Sequence, residues 1–261
     1  MNRNAFVKTC SFLLPLVICL AFRQDAPLRL QLFLLIGQSN MAGRGAVDAE
    51  TPHPRIWMLT KEQSWVPARD PLHFDKPAVV GVGPGLSFAQ RVADAHPEQN
   101  IGLIPAAVGG SGINVWEPGA YYEPTQSYPY DDAIRRAKKA LENGQLAGIL
   151  WHQGESDSQP EKVTVYEQKL TALVRRIRAD LRAETVPFLI GTLGDFYVRK
   201  NPNARQINVI LTKTPDVLPN VYVVSASGLT HKGDTTHFDT PSARMLGHRF
   251  ADCYLNIPKK Q

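Results

Sequence analysis

Apolar residues along the chain fall into two patterns, short continuous runs and longer stretches with helical spacing. Short apolar runs bounded by glycine or polar residues are typical of strands buried on both faces. These runs occupy residues 30–36, 101–108, 147–151, 188–193 and 221–225. Apolar residues three and four positions apart predict amphipathic helices. Such spacing occurs over residues 85–95, 130–141, 163–181 and 240–254.

Strands that alternate with helices indicate a mainly parallel sheet in an α/β protein, with helices on both faces. The sequence has no internal repeat and no Gly/Ser-rich linker, so we predict a single domain over residues 28–257. The stretch 41–83 lacks a regular pattern and is interpreted as a flap or as part of the site. Ligands of such sheets bind beyond the carboxyl ends of the strands, so the residues after each strand are the candidates for chemistry.

The N-terminal segment has the pattern of a targeting signal. Its first eight residues include Arg3 and Lys8 and no acidic residue, and residues 10–22 then form an almost continuous apolar run. That run is too short to span about 30 Å of hydrocarbon as a helix and fits the core of a secretory signal. We therefore predict a signal peptide over residues 1–21 and a secreted or periplasmic protein. An uncleaved anchor, a buried first helix and lipidation at Cys19 are the alternatives.

Composition excludes several classes of function. The chain of 261 residues has a formal net charge of +5, but the excess forms no block of like charges and no basic stripe with aromatics. We therefore predict no nucleic-acid partner, and no membrane contact beyond the signal segment. Of the three cysteines only Cys253 lies outside that segment, in an apolar helix pattern typical of an inert core thiol. The sequence has no cysteine cluster or histidine pair with metal-ligand spacing, so we predict no metal site.

The first predicted strand ends in the polar sequence Gly37-Gln38-Ser39-Asn40-Met41. A serine directly beyond a strand can present its hydroxyl above the sheet, where it could act as a nucleophile if a base lay nearby. The sequence differs from the GxSxG nucleophile elbow because no glycine follows two residues after the serine. A simple turn or helix cap explains this sequence equally well when it is taken alone.

An acid and a histidine lie three residues apart in Asp234-Thr235-Thr236-His237, just before the last predicted helix. In a turn this spacing lets the Asp234 carboxylate accept a hydrogen bond from Nδ1–H of His237 while Nε2 points outward. A carboxylate in that position fixes the tautomer and stabilises the imidazolium. The alternative is a polar loop in which both side chains only cap the turn.

The second and third predicted strands also end in unusual sequences. Glycines at 109, 110 and 112 follow the second strand, and they allow backbone N–H groups to approach a ligand closely. The spacing is not that of a phosphate-binding loop, so an oxyanion-hole donor from Gly110 is the better interpretation. Trp151-His152-Gln153-Gly154-Glu155-Ser156-Asp157 ends the third strand. Gln153 could donate a hydrogen bond to developing negative charge, and Glu155 is an ionisable group at a strand end.

Taken together, the four sequences GQSN at 37–40, the glycine-rich turn at 109–112, WHQGESD at 151–157 and DTTH at 234–237 resemble the SGNH/GDSL hydrolase superfamily. Within it they are similar to the sialate O-acetylesterase-like group, which includes the acetylxylan esterases of carbohydrate esterase family six. The resemblance implies a three-layer α/β/α, flavodoxin-like fold. It also implies hydrolysis of O-acetyl esters on carbohydrates, without a cofactor.

The resemblance further assigns roles to the residues at these strand ends. Ser39 would be the nucleophile and His237 the general base, with Asp234 or Glu155 as the acid of the triad; we favour Asp234. The oxyanion hole would comprise the N–H groups of Ser39 and Gly110 and the side chain of Gln153. Gln38, Asn40 and Trp116 are the predicted substrate-binding residues.

Two other classes of function remain open at the level of sequence. One is an esterase or lipase that acts on non-sugar esters through the same residues. The other is a carbohydrate-binding protein without catalysis, which would leave Ser39, Asp234 and His237 without a shared purpose. The sequence does not identify the acetylated sugar or the oligomeric state.

Overall fold

The computed structural model describes residues 29–49 and 51–258. The predicted signal peptide at 1–21 therefore lies outside the described residues. Within the two described ranges, no helix is both long enough and apolar enough to cross a membrane.

Seven strands and seven helices are the regular elements that we label, in chain order. The strands are β1 (Leu30–Gly37), β2 (Ile56–Leu59), β3 (Trp65–Pro67), β4 (Asn100–Pro105), β5 (Gly144–His152), β6 (Phe188–Gly191) and β7 (Val221–Val224). The helices are α1 (Ser39–Ala42), α2 (Gly85–Ala95), α3 (Pro129–Ala140), α4 (Pro160–Leu181), α5 (Asp195–Lys200), α6 (Pro202–Val217) and α7 (Thr240–Leu255).

The strands form one sheet in the order β3-β2-β4-β1-β5-β6-β7. Only β3 is antiparallel to its neighbour, and every other pair is parallel. Without the β2–β3 hairpin, the order β4-β1-β5-β6-β7 is the 2-1-3-4-5 order of flavodoxin-like sheets. The predicted α/β fold with a mainly parallel sheet is confirmed. In this order the chain switches direction between β1 and β5, where such sheets bind their ligands.

The central strand β1 shows why the sheet is covered on both faces. Leu32, Leu34 and Ile36 belong to the apolar core shared with α3, α4 and α6, whereas Phe33 and Leu35 belong to the core shared with α2 and α7. Successive side chains of a strand point to opposite faces, so a strand buried on both sides must be apolar throughout. Apart from the half-buried Gln31 near its start, the sequence LQLFLLIG satisfies this requirement, and β1 is almost wholly buried.

The structure extends or corrects several of the predicted elements. The stretch 41–83, which lacked a regular pattern, contains the hairpin formed by β2 and β3. Two helices, α5 and α6, follow β6, where no helix was predicted. The second predicted strand is shorter than expected, because β4 ends at Pro105 and residues 106–112 form the turn that reaches the site.

Candidate active site

Ser39 lies at the end of β1 because a sharp turn at Gly37 redirects the chain into α1. Gly37 has a φ of +127°, and a Cβ at this position would lie 2.2 Å from the backbone oxygen of His152 on the neighbouring strand. Only glycine fits such a close approach with this backbone conformation. Ser39 is the first residue of α1, and backbone N–H groups in the first turn of a helix have no acceptor within that helix.

His237 lies within hydrogen-bond distance of Ser39, although 198 residues separate them in the sequence. Its Nε2 atom is 3.0 Å from Ser39 Oγ, and its Nδ1 atom is 2.7 Å from Asp234 Oδ2. The order hydroxyl, imidazole and carboxylate is the arrangement of a Ser-His-Asp triad. The structure therefore brings together the serine, the histidine and the aspartate that the sequence selected separately.

The turn that contains Asp234 holds the carboxylate against the histidine. Asp234 Oδ1 accepts hydrogen bonds from the backbone N–H groups of Thr236 at 2.9 Å and His237 at 2.8 Å. Partial burial alone would raise the pKa of Asp234, but the backbone and ring N–H groups of His237 and the Thr236 N–H together lower the pKa to about 2. Asp234 is thus ionised at neutral pH and accepts from Nδ1–H, which leaves the Nε2 lone pair directed at Ser39.

Glu155, the alternative acid, contacts Asn40 and not the histidine. Its Oε1 atom accepts a hydrogen bond from Asn40 Nδ2 at 2.6 Å. The same Asn40 amide donates to the carbonyl oxygen of Thr236 at 3.0 Å, and Asn40 Oδ1 accepts from the N–H of Phe238 at 3.1 Å. Asn40 therefore holds the backbone on both sides of His237, and Glu155 orients Asn40.

These contacts engage two of the predicted site residues within the protein. Asn40 was expected to bind substrate, but it is only 3% exposed and both of its amide atoms are engaged within the protein. Glu155 was the second candidate for the acid, but the ring of His237 is paired with Asp234. Both residues act on the position of the His237 turn.

Gly110 lies at the edge of the cleft, in a turn that a buried ion pair supports. Asp75 Oδ2 accepts hydrogen bonds from Gly109 N–H at 2.7 Å and from Arg44 Nη2 at 2.9 Å. The Ser156 hydroxyl donates to the Gly110 carbonyl oxygen at 3.0 Å. Gly110 has a φ of +82°, which favours glycine at this position. Sequence reasoning missed Arg44 and Asp75, which lie in the irregular stretch 41–83 and have no motif to mark them.

Gln153, the predicted oxyanion-hole donor, lies behind the glycine-rich turn and is not among the residues that line the cleft. Its side chain is fully buried, and its Nε2 atom donates to Asp157 Oδ2, to the Ser111 carbonyl and to Gln38 Oε1. Its Oε1 atom accepts from the Tyr166 hydroxyl at 2.8 Å. Because its amide N–H groups are engaged within the protein, Gln153 holds the glycine-rich turn from behind in this structure, and its role as an oxyanion donor stays a prediction.

The two remaining predicted substrate-binding residues differ in their placement. Gln38 lines the cleft, and its Oε1 atom also accepts from Ser156 N–H at 3.2 Å, so the side chain is fixed within the protein. Trp116 is only 1% exposed; its indole N–H donates to Ser111 Oγ at 3.0 Å and its ring packs edge-on against Trp151. Trp116 therefore packs in the core of this structure, and its predicted contact with a sugar stays a prediction.

The cleft above Ser39 has a volume of about 470 Å³ and is open to solvent. Its lining residues include Ser39, His237, Gly110, Arg44, Lys76 and Tyr197. Two of these, Arg44 and Lys76, come from the stretch 41–83, so this stretch forms part of the site. In the described part of the chain, no three His, Cys, Asp or Glu side chains are grouped so as to hold a metal ion.

A serine follows the first strand of this sheet and faces a histidine that precedes the last helix. Together with the strand order, this arrangement defines a hydrolase of the SGNH class. Comparison with protein families is more specific. The model of the family described as carbohydrate esterase, sialic acid-specific acetylesterase, matches residues 29–256, and the chain belongs to this family. It is accordingly a carbohydrate acetylesterase, with an acetylated carbohydrate as its substrate.

One Arabidopsis thaliana protein is similar to this chain in both sequence and structure, and two further crystal structures, each less than 25% identical, share its fold. A probable carbohydrate esterase from Arabidopsis thaliana is 32% identical over 250 residues, covering 87% of this chain and 90% of the relative. A crystal structure of an Arabidopsis thaliana protein superposes with a TM-score of 0.78 at 30% identity, over 87% of this chain and 98% of that one. The crystal structure of NanS superposes with a TM-score of 0.74 at 19% identity, over 88% of this chain and 98% of that one. The crystal structure of a carbohydrate acetylesterase from Xanthomonas citri superposes with a TM-score of 0.66 at 20% identity, over 85% of this chain and 55% of that one.

Proposed function

We propose that the protein removes O-acetyl groups from carbohydrates through a covalent acetyl-enzyme formed on Ser39. The observation that carries the proposal is the continuous contact from Ser39 Oγ through His237 to Asp234, with separations of 3.0 and 2.7 Å. A serine hydroxyl is a weak nucleophile unless an adjacent base accepts its proton, and His237 Nε2 is in position to do so.

In the first half of the reaction His237 removes the proton from Ser39 as Oγ attacks the acetyl carbonyl carbon. The imidazolium that results is stabilised by the Asp234 carboxylate, which is ionised throughout the neutral range. When the tetrahedral intermediate collapses, the ester bond to the sugar oxygen breaks and His237 gives its proton to that oxygen. The deacetylated sugar leaves, and the acetyl group remains on Ser39.

In the second half, water replaces the sugar as the partner of His237. The histidine accepts a proton from this water as its oxygen attacks the acetyl-enzyme, and the same proton returns to Ser39 Oγ when acetate leaves. The negative charge on the intermediate in both halves needs donors that are fixed in advance. We assign this role to the backbone N–H groups of Ser39 and Gly110, which belong to residues that line the cleft.

The substrate is proposed to be an acetylated xylan or an acetylated sialic acid glycan, and the protein is proposed to be secreted. The proposal on the substrate rests on the resemblance of the site motifs to both kinds of esterase, and the family description favours the sialic acid type. The proposal of secretion rests on the positively charged N-terminal segment and on the apolar run at residues 10–22. Acetate release from a panel of both substrates tests the first, and N-terminal sequencing of protein exported by its host tests the second.

The test of the mechanism is the Ser39→Ala variant. We expect acetate release to fall by several orders of magnitude while the thermal unfolding temperature is nearly unchanged, because only one hydroxyl is lost. A serine-reactive fluorophosphonate should label the native chain at Ser39 and should not label the variant. Retention of more than about a tenth of the activity would remove Ser39 from the mechanism.

A further inference from the structure

The charged side chains that line the catalytic cleft differ in whether they have a partner. Arg44 pairs with the buried Asp75 carboxylate at 2.9 Å, and the Glu155 carboxylate accepts from Asn40 Nδ2 at 2.6 Å. Lys76 lines the same cleft and is half-buried, but its ammonium group has no hydrogen-bond or ion-pair partner among the described residues. The cleft therefore contains a cation that takes no part in the triad and is not neutralised by a neighbouring acid.

Gly110 shows where this ammonium group lies. A Cβ on Gly110 would be 3.8 Å from Lys76 Nζ and 2.9 Å from the hydroxyl oxygen of Tyr122. Apart from the turn itself, no other atom of residues 29–49 and 51–258 lies within 4 Å of that point. Because glycine has no side chain, the two polar groups face one small open space beside a residue that lines the cleft.

Tyr122 adds a neutral donor to the ammonium group. Its hydroxyl has no hydrogen-bond partner in the described part of the chain, and neither this hydroxyl nor Lys76 Nζ is sealed from solvent. Burial and the negative charge of Asp75 raise the pKa of Tyr122, so the hydroxyl is protonated at neutral pH and can donate. Two donors, one of them charged, therefore converge on a space that a ligand can enter.

A carboxylate is the ligand group that best satisfies these two donors. It only accepts hydrogen bonds, and its two oxygens can each take one. A hydrogen bond between ionised groups is also roughly twice as strong as a neutral one. The hydroxyl groups of a neutral sugar would leave the half-buried ammonium charge without an opposite charge. The nearby Asp75 is a weak source of repulsion, because Arg44 neutralises it and its side chain is only 1% exposed.

We propose that Lys76 and Tyr122 bind the carboxylate of an acidic sugar, so that the enzyme prefers acetylated sugars that carry a carboxyl group to neutral ones. The inference rests on the proposed function and deepens it by naming the residues that determine specificity. Sialic acids and uronic acids both carry this group. Because the carboxylate is remote from the ester bond that breaks, its contact is present in the ground state and in the transition state and therefore affects KM.

The experiment uses two pairs of substrates that differ in one charge. One pair is O-acetylated sialic acid and its carboxamide, and the other is O-acetylated galacturonic acid and its carboxamide, with acetate release as the readout. Lys76→Met removes the charge at similar length, Lys76→Arg keeps the charge, and Tyr122→Phe removes only the hydroxyl. Lys213→Met changes an exposed lysine of α6 and is the matched control for net charge. 4-Nitrophenyl acetate, which has no carboxylate, reports the chemistry of Ser39.

We expect the native enzyme to favour the acid over its carboxamide by about tenfold or more in kcat/KM in at least one pair, which identifies the kind of sugar. Lys76→Met should reduce this preference to about twofold or less, mainly by raising KM for the acid. Tyr122→Phe should lower it severalfold, whereas Lys76→Arg and Lys213→Met should keep most of it. High salt should raise KM for the acid and leave KM for the carboxamide nearly unchanged.

A native preference near one in both pairs would overturn the proposal, as would an unchanged preference in a folded Lys76→Met variant. An equal fall in Lys213→Met would also overturn it, because bulk charge would then explain the effect. If circular dichroism shows that Lys76→Met does not fold, an unchanged preference in Tyr122→Phe together with a KM that is independent of salt is the contrary result. Hydrolysis of 4-nitrophenyl acetate without acetate release from either acid would overturn the proposal as well. Failure of the native enzyme on 4-nitrophenyl acetate and on all four sugars would instead refute the proposed esterase function.

Discussion

Asp234→Asn and Glu155→Gln remove one charge each from carboxylates near the same histidine, and the structure predicts very different consequences. In Asp234→Asn the amide oxygen can keep the two backbone hydrogen bonds from Thr236 and His237. The amide nitrogen then faces Nδ1 of His237, which must become an acceptor. The ring proton is thereby moved to Nε2, opposite Ser39 Oγ, and the base is lost.

The size of each effect follows from these contacts. The equivalent Asp→Asn change in a serine protease costs about 10⁴ in kcat, which corresponds to roughly 5 kcal/mol of barrier. Glu155→Gln keeps an oxygen that can accept from Asn40, 2.6 Å away in the native protein. It loses only the ionic part of that bond, and a charged hydrogen bond is stronger than a neutral one by about 1–1.5 kcal/mol. Even if all of this appeared in the barrier, kcat would fall only about tenfold.

The assay is kcat for both variants on one chromogenic acetate ester, with circular dichroism and thermal unfolding as folding controls. We expect Asp234→Asn to be the more damaging by about 10³. Because Glu155 positions the His237 turn through Asn40, Asn40→Ala should lower kcat at least as much as Glu155→Gln. A larger loss for Glu155→Gln than for Asp234→Asn would refute the assignment of the acid. A loss of only a few-fold in both would mean that Ser39 and His237 work as a dyad.

Three further predictions concern residues around the triad. Gln153→Ala should lower the thermal unfolding temperature, because the Asp157 carboxylate and the Tyr166 hydroxyl each lose a buried side-chain partner and keep only a backbone one. A fall in kcat with unchanged unfolding would instead support Gln153 as an oxyanion donor. Gly37→Ala should prevent stable folding, since its Cβ would meet a backbone oxygen at 2.2 Å, and soluble protein with native circular dichroism would contradict this. Burial lowers the pKa of His73 from its ordinary value of 6.5 to about 4 in the folded chain. Between pH 6.5 and pH 4 the unfolded chain therefore binds a proton at His73 that the folded chain does not bind. The free energy of unfolding consequently falls as the pH drops from 6.5 to 4. Urea unfolding at pH 7 and pH 4.5 should show that His73→Gln removes part of this fall, which amounts to about 3 kcal/mol for one group; an identical pH dependence in the variant would be the contrary result.

The sequence predicted the central sheet well because a strand buried on both faces must be apolar throughout. β1 from Leu32 onward and the second half of β5 are such segments, and the polar residues that follow them mark the edge where the site lies. The pairing of Asp234 with His237 was also predictable, because a three-residue spacing within a turn leaves few ways to arrange two side chains. Their meeting with Ser39 follows from the strand order, which places the end of β1 at the switch point.

Other elements were missed because their patterns are weak. In α6 the buried residues are Ala204, Ile207, Leu211 and Thr214, and this apolar stripe contains an alanine and a threonine and is followed by Pro215 inside the helix. The strands β2 and β3 have only four and three residues, and β3 is at most half-buried. Segments this short bury too little to impose a periodicity on the sequence, and their pairing depends on contacts with the distant strand β4.

Side-chain roles were hardest to predict where a residue type suits both a site and a core. Trp116 and Gln153 both follow strands that end at the site, and both have the chemistry expected of a sugar contact or an oxyanion donor. The structure shows that Trp116 packs on Trp151 and that the Gln153 amide N–H groups are engaged by hydrogen bonds within the protein. Burial distinguishes the two uses, and burial depends on the loops that cover a strand end, which no local pattern encodes.

The clamp that Asn40 forms on both sides of His237 has a consequence for the biogenesis of the enzyme. The nucleophile lies at the start of the sheet, whereas residues 234–238 are synthesised some 200 residues later and are followed by α7, which packs on α2. Domains fold as units while the chain emerges from the ribosome from its N-terminal end. Ser39 therefore exists without a base until this late segment docks, and a nascent or truncated chain with a nearly complete sheet is inert towards esters. Onset of hydrolysis during refolding therefore reports the docking of the segment 234–238 against Ser39.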